Sequence, residues 1–451
     1  MSTLVCLGRH TITGMLTACG RQFEDWSADY RLFSRERFDP AGLFQVCRQE
    51  IAAKLPAQTP FIASMDDTLL RKTGVKISGV AWRRDPLGPP FQTNLVRAQR
   101  YLQLSAALPP QHEATPGRMV PIQFSHAPSV KKPGKKATED QIRQYKEAQR
   151  KQNLSLQGNH QIHALRQNLN TDNPENQRPL WILVDGSFTN RNVLNNMPDN
   201  TAIIGRIRLD TKLYLPLAAK NNRSGAGRKP WYGKRAPTPE QARKDDAIPW
   251  QTVDVFAAGK THSMKIKTLS PVYWRITGHD RPLRVIIIAP LAYRLRKSSP
   301  LLYRNPAYLV VTDPNIRIED AVRAYLARWD IESNFRDEKQ LIGVGQAQVR
   351  SASAVDSAPA LAVAAYSLLL LAGANTYGIN GLPDVLPPPK WSKKKKLRAS
   401  TSDLISQLRY DLWGEALGLA HFSGFDSGIS TSTKPEKFKP HLPSAVLYAT
   451  A

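Results

Sequence analysis

Twice in this chain a largely apolar run stops at a carboxylate. Phe61–Met65 leads into Asp66-Asp67-Thr68, and Pro179–Val184 (PLWILV) leads into Asp185-Gly186-Ser187. Each run predicts a buried strand with an acid at its C-terminal end. An Asp-Gly after a strand is, taken alone, most often just a turn. Further strands are expected at Gly79–Arg83, Met119–Phe124 and Ala202–Ile207, and a short helix at Asn190–Asn196. Thr138–Asn168 is polar and helix-prone, with Gly158 as its weak point, and reads as a solvated surface helix. Residues 1–58 look helical throughout. His10–Cys19 is stopped by Gly20, and Pro40–Leu55 places Pro40 in its first turn. The aromatic, basic stretch Trp26–Phe33 between them suits a DNA-binding head or a structural cap.

The rhythm changes after residue 208. Short alternating segments at Val253–Ala257, Ser263–Thr268, Tyr273–Thr277 and Leu283–Ala289 predict a mostly β insertion over 209–305. Asn221–Arg235 within it is a Gly-rich, basic, aromatic loop that lacks the Gly-Lys-Ser/Thr of a phosphate loop. Ala307–Thr312 is a further strand, leading directly into Ala321–Gln340. That stretch reads as one helix: it contains no Gly or Pro, follows Glu319-Asp320, and meets Gly343 soon after its end. At helical spacing Tyr325, Arg328, Glu332 and Lys339 share an arc of about 60°. Ala358–Ala374 is apolar but carries Pro359 and falls short of the roughly 20 residues of a membrane span, so a buried core helix is expected. Pro387–Trp391 and Lys393–Lys396 mark a basic linker before a helical unit at Ser402–Ala416.

The elements together predict a mixed α/β fold. Its parts are a helical segment at 1–58, a catalytic core split between 59–208 and 306–380, the β insertion at 209–305, and a basic linker with a helical segment at 381–451.

Charge narrows the partner. Over 451 residues, 63 Lys and Arg face 37 Asp and Glu, a formal charge of +26. The excess is spread along the chain rather than gathered on one amphipathic helix, which favours nucleic acid over a membrane surface. No secretory signal opens the sequence, so a cytoplasmic, nucleoid-associated protein is expected. Cys6, Cys19 and Cys47 form neither a disulfide framework nor a CxxC pair and read as small buried residues in a reducing compartment. His160 and His163 could share a helix face, but no Cys or His cluster supports zinc.

The chemistry-bearing residues converge on phosphoryl transfer. Asp66 (or Asp67), Asp185 and Glu332 supply three hard oxygen ligands, which fits a pair of Mg²⁺ ions, with Mn²⁺ able to substitute. Arg328 and Lys339 can hold phosphate oxygens and Tyr325 can donate its hydroxyl. The bland alternative for the helix is a solvated face with ordinary i,i+4 pairing. Against that alternative stands the order Tyr325-x2-Arg328-x3-Glu332-x6-Lys339, which matches without a gap the Y-(2)-R-(3)-E-(6)-K signature of one class of DDE-type insertion-sequence transposases.

The chain resembles that class over roughly residues 60–345. The resemblance implies a ribonuclease H-like core with a β insertion between the second Asp and the Glu. It implies Asp66, Asp185 and Glu332 as catalytic metal ligands; Asp66-x-Thr68 matches the family's Asp-x-Thr habit and is favoured over Asp67. It further implies that Tyr325, Arg328 and Lys339, with Arg336 beside them, contact DNA. Some members carry a Trp before the last strand that stacks on a flipped base, and here Tyr308 stands in that place, a departure from the pattern. The partners implied are transposon terminal repeats and target DNA, bound by a homodimer. Two other readings stay open: a transposase-derived DNA-binding protein that no longer cuts, and a general metal-dependent nuclease.

Overall fold

The two acids after Met65 lie inside the first strand, not at its end. The computed structural model describes residues 1–35, 37, 39–85, 87–89, 91–108, 117–175, 177–217, 230–257, 260–278, 281–296, 298–382, 386, 396, 398–418 and 442–449. Four helices open the chain: α1 (Ser2–Val5), α2 (Ile12–Ala18), α3 (Ser27–Ser34) and α4 (Pro40–Lys54). Strands β1 (Phe61–Arg71), β2 (Ala81–Arg84), β3 (Leu95–Leu108) and β4 (Arg118–His126) follow. Next come α5 (Glu139–Lys151), α6 (Leu154–Asp172), β5 (Leu180–Val184), α7 (Arg191–Leu194) and β6 (Thr201–Arg206). Residues 209–305 contain α8 (Pro239–Lys244), β7 (Gln251–Ala257), β8 (Lys260–Val272), β9 (Leu283–Ile288), β10 (Ala292–Tyr293) and β11 (Leu302–Tyr303). After β12 (Ala307–Val311) come α9 (Ile318–Ala327), α10 (Asp330–Gln340), α11 (Ala352–Tyr377), α12 (Thr401–Trp413) and a helix at Leu442–Leu447. The expected loop at 221–229, the linker at 387–391 and 393–395, and tail residues 419–441 lie outside the described residues.

The chain divides into two units, one of Leu55–Asp66 with Ser129–Ile331, the other of Met1–Lys54, Asp67–Pro128 and Glu332–Ala451. In the first, the opening of β1 pairs in parallel with β5, and β5 in parallel with β6. Antiparallel partners β12, β9, β8 and β7 extend the row. Ile182, Leu183, Val184, Ile203 and Ile204 are fully buried, as strands covered on both faces must be. The polar stretch at 138–168 is two helices. Thr138 caps α5 through a reciprocal box with Gln141, and Asn153 starts α6 afresh by accepting from the Ser155 N–H. Gly158 is not a weak point. A Cβ there would lie 3.0 Å from the Met65 methyl and 3.2 Å from the Phe188 ring, so glycine lets α6 approach closely, and that helix is half core rather than solvated.

In the second unit β3 pairs antiparallel with β2 and β4, and α11 lies on β4 and α4. The helix α11 is long and apolar enough to cross a membrane by length and composition, yet it is tied into this unit by polar contacts. Tyr101 donates to the Val355 carbonyl at 2.8 Å, and Ser367 to the Pro121 carbonyl at 2.7 Å. Ile12, Leu16 and Phe33 pack against its first turns. Cys6 and Cys47 are buried thiols; Cys19 is exposed.

Candidate functional site

Register brings the chemistry together in the first unit. Met65 is level with Val184 across β1 and β5, and Val184 with Gly205 across β5 and β6. The next residues on the three adjacent strands are therefore Asp66, Asp185 and Arg206. Three parallel strands thus present two carboxylates and a guanidinium in one row where parallel pairing ends, the edge at which α/β sheets bind ligands. Asp185 is fixed by a local turn: its Oδ1 accepts from the Ser187 N–H at 2.9 Å and from the Ser187 hydroxyl at 2.6 Å. Thr189 donates to the Arg206 carbonyl at 2.6 Å, tying the end of β6 to the same turn. Gly205 permits this approach, since a Cβ there would sit 2.3 Å from the Thr189 methyl. The turn and the chemical reading of Asp185-Gly186 are thus compatible.

Arg328 reaches into this row. Its Nη1 lies 3.3 Å from Asp66 Oδ2, both side chains nearly buried, and its guanidinium stands 5.8 Å from the Tyr325 ring centre. Burial pushes the Tyr325 hydroxyl above its ordinary pKa; Arg328 and Arg206 pull it down, and Asp185 pushes it further up. Tyr325, Arg328, Arg206, Asp185 and Asp66 therefore form one electrostatic neighbourhood. Arg206 was not singled out from the sequence, because its place beside Asp185 exists only once β5 and β6 are in register.

The expected single helix over Ala321–Gln340 is broken. α9 ends at Ala327 and α10 begins at Asp330. Between them the Ile331 N–H donates to the Arg328 carbonyl, and the Trp329 N–H to the Leu326 carbonyl, both three residues back. This tightened turn interrupts the 3.6-residue period, so the shared 60° arc does not carry across it. No Gly or Pro announces the break.

The other unit holds the remaining candidates. Asp67 sits within electrostatic reach of Arg83 there. Successive strand residues point to opposite faces, so Asp66 and Asp67 have separate partners. On α10, Lys339 has its ammonium 5.8 Å from the Phe335 ring centre; burial lowers its pKa, while Glu338 and Glu332 raise it. Arg336 is exposed and paired with Asp337 at 3.0 Å.

Glu338 is fully buried, and burial pushes its carboxyl up to about 8, against a hydrogen bond with Gln103 that lowers it. A carboxyl with a higher pKa folded than unfolded holds its proton longer in the folded state. Stability then falls as pH rises from about 4.5 towards 8 and levels off above. Thermal melts across pH 5–9 are expected to show that fall, with a slope approaching about 1.4 kcal/mol per pH unit. Glu338→Gln should flatten it.

Tyr308 does not occupy a stacking position. Its ring is buried against Ile207, Val285 and Val310, and its hydroxyl donates to Glu240. β12 is covered on both faces, leaving the ring no open face for a base.

Among the described residues there is no group of three or more His, Cys, Asp or Glu able to hold a metal ion. The donor set nevertheless suits a hard divalent cation. Two carboxylates arrive in register, and the cations beside them match phosphate oxygens.

Residues 1–281 match the family described as DDE superfamily endonuclease, well over half of the chain. The chain belongs to that family. The matched span contains Asp66, Asp185 and Arg206, whereas Tyr325, Arg328, Glu332 and Lys339 lie beyond it. No curated protein matches the chain. Membership in the DDE superfamily supports a nuclease- or phosphoryl-transferase-type enzyme with DNA as its substrate, and members of that superfamily use divalent metals.

Proposed function

We propose that this DDE superfamily member is a transposase, cleaving the ends of a DNA element and joining them to target DNA by in-line phosphoryl transfer. The reading rests on the row of Asp66, Asp185 and Arg206 with Arg328 on Asp66, taken together with the Tyr-Arg-Glu-Lys spacing. Asp66 and Asp185 would hold Mg²⁺, or Mn²⁺ in its place, with Glu332 as third carboxylate on the strength of the signature. When bound, such ions activate the attacking oxygen and stabilise the leaving one.

The protein's own side chains do the positioning. Arg328 offers a planar, two-pronged grip that suits a phosphate as well as the Asp66 carboxylate it meets. Arg206 adds positive charge beside Asp185, and Tyr325, a neutral phenol, donates a hydrogen bond without adding charge. Lys339 and Arg336 are assigned to the DNA backbone, and a ribonuclease H-like arrangement and a homodimer on DNA belong to the same proposal.

The test is incubation with duplex DNA ending in a candidate element's terminal repeat, with Mg²⁺, followed by strand mapping. Breaks at the element boundary and products joined to a second duplex are expected. Cleavage without boundary preference would replace transposition with general nuclease activity; absence of cleavage with either metal would leave a DNA-binding protein.

A further inference from the structure

Between β9 and β12 the chain leaves its sheet and makes a separate two-stranded ribbon. Ala292 pairs with Tyr303 and Tyr293 with Leu302. The Arg304 N–H donates to the Leu291 carbonyl at 2.9 Å, and the Ser299 N–H to the Arg296 carbonyl at 3.0 Å, closing the turn. Arg294 donates to the Ser299 carbonyl at 2.7 Å across it. An isolated two-stranded ribbon is marginal in water, and this one is exposed on nearly all sides.

Its composition is one-sided. Pro290–Pro306 holds Arg294, Arg296, Lys297 and Arg304 and not one acidic residue; Lys297 lies outside the described residues. Arg304 stands 5.3 Å from the centre of the Tyr293 ring, which keeps the ring and the charge together. Next to these cations the ribbon exposes large apolar groups: Leu295 is 75% and Tyr303 64% exposed, with Leu301 and Leu302 beside them. A solvated loop has no need of such side chains, and an exposed apolar patch rimmed by charge marks a contact surface.

We infer that the β10–β11 ribbon is a DNA-binding element of its own, which lays its arginines on the phosphates of a duplex and its apolar tip into a groove. A two-stranded ribbon fits the width of the major groove, and apolar side chains enter between base steps in the minor groove. The absence of acidic residues selects a polyanion over a second protein surface. The inference rests on the DNA reading above but concerns binding, not cleavage.

The experiment is fluorescence anisotropy of a labelled random duplex with the full chain in EDTA, titrated with salt. In the triple variant Arg294→Gln, Arg296→Gln, Arg304→Gln, the log–log salt slope should shrink by about 2–3, the loss expected for three phosphate contacts. Leu295→Ser should weaken binding several-fold at every salt concentration and leave the slope intact. Both variants alter exposed positions, and unchanged melting temperatures will show that they fold. A slope unchanged in the triple variant, while the parent protein binds DNA, overturns the ribbon and spares the DNA reading. No salt-dependent binding by the parent overturns both. If sedimentation shows that Leu295→Ser disrupts self-association while both DNA parameters stay at parental values, the ribbon is a protein contact and the inference fails.

Discussion

Replacing Asp185 or Asp66 by Ala is expected to abolish metal-dependent DNA cleavage, by roughly three orders of magnitude or more, as loss of a group at a reacting centre does. DNA binding should barely change, because the affinity comes from positive charge spread over the chain, +26 in all. The two variants should also lose Mn²⁺ binding measured by calorimetry. A carboxylate serving only the turn would leave that signal in place. Asp185 is the sharper case, since it also holds Ser187 through two hydrogen bonds. Asp185→Asn keeps those acceptors, so a cleavage loss in Asn as deep as in Ala assigns the defect to charge and metal rather than to the turn. Asp67→Ala is the internal comparison. Its carboxylate acts on Arg83, so that variant should still cut. If Asp67→Ala is inactive and Asp66→Ala is active, the first ligand moves by one residue.

How much of this was legible beforehand depends on whether the determinant is local. The strands carrying Asp66 and Asp185 were visible because fully buried parallel strands read as apolar runs. That β1 continues through both acids to Arg71 was not, because Asp disfavours strands and only pairing partners hold it there. The row of Asp66, Asp185 and Arg206 depends on two registers, β1 with β5 across more than a hundred residues and β5 with β6, and Arg206 meets Asp185 only through the second, which spacing alone does not give. The break at Arg328–Trp329 was hidden for the opposite reason: the local sequence is helix-compatible throughout, and the turn is a tertiary choice. Gly158 shows the same limit. A glycine in a helical stretch signals weakness by propensity, yet here it admits Met65 and Phe188. Tyr308 was placed by family position, and the burial of both faces of β12 assigned its ring to the core.

Arg328 gives the second large effect, and it separates a transposase from a generic nuclease. Its guanidinium pairs with Asp66 at 3.3 Å and stands over the Tyr325 ring at 5.8 Å, where it can hand a phosphate to the carboxylate row without being a ligand itself. Arg328→Ala should therefore retain Mn²⁺ binding and lose accurate end cleavage. A charge-assisted phosphate contact is worth roughly 1.5–3 kcal/mol, or about 10- to 150-fold in rate. Arg328→Lys restores a charge but not the fork, so rescue should be poor, well under the parental rate. The quantity to follow is the ratio of end-specific to random cleavage in each variant. A fall in that ratio means the guanidinium orients a particular DNA end. An equal loss on both substrates assigns Arg328 to phosphate binding in general and favours a nuclease. If neither changes, the ion pair with Asp66 is structural, and the Tyr-Arg-Glu-Lys spacing loses its second member as evidence for transposition.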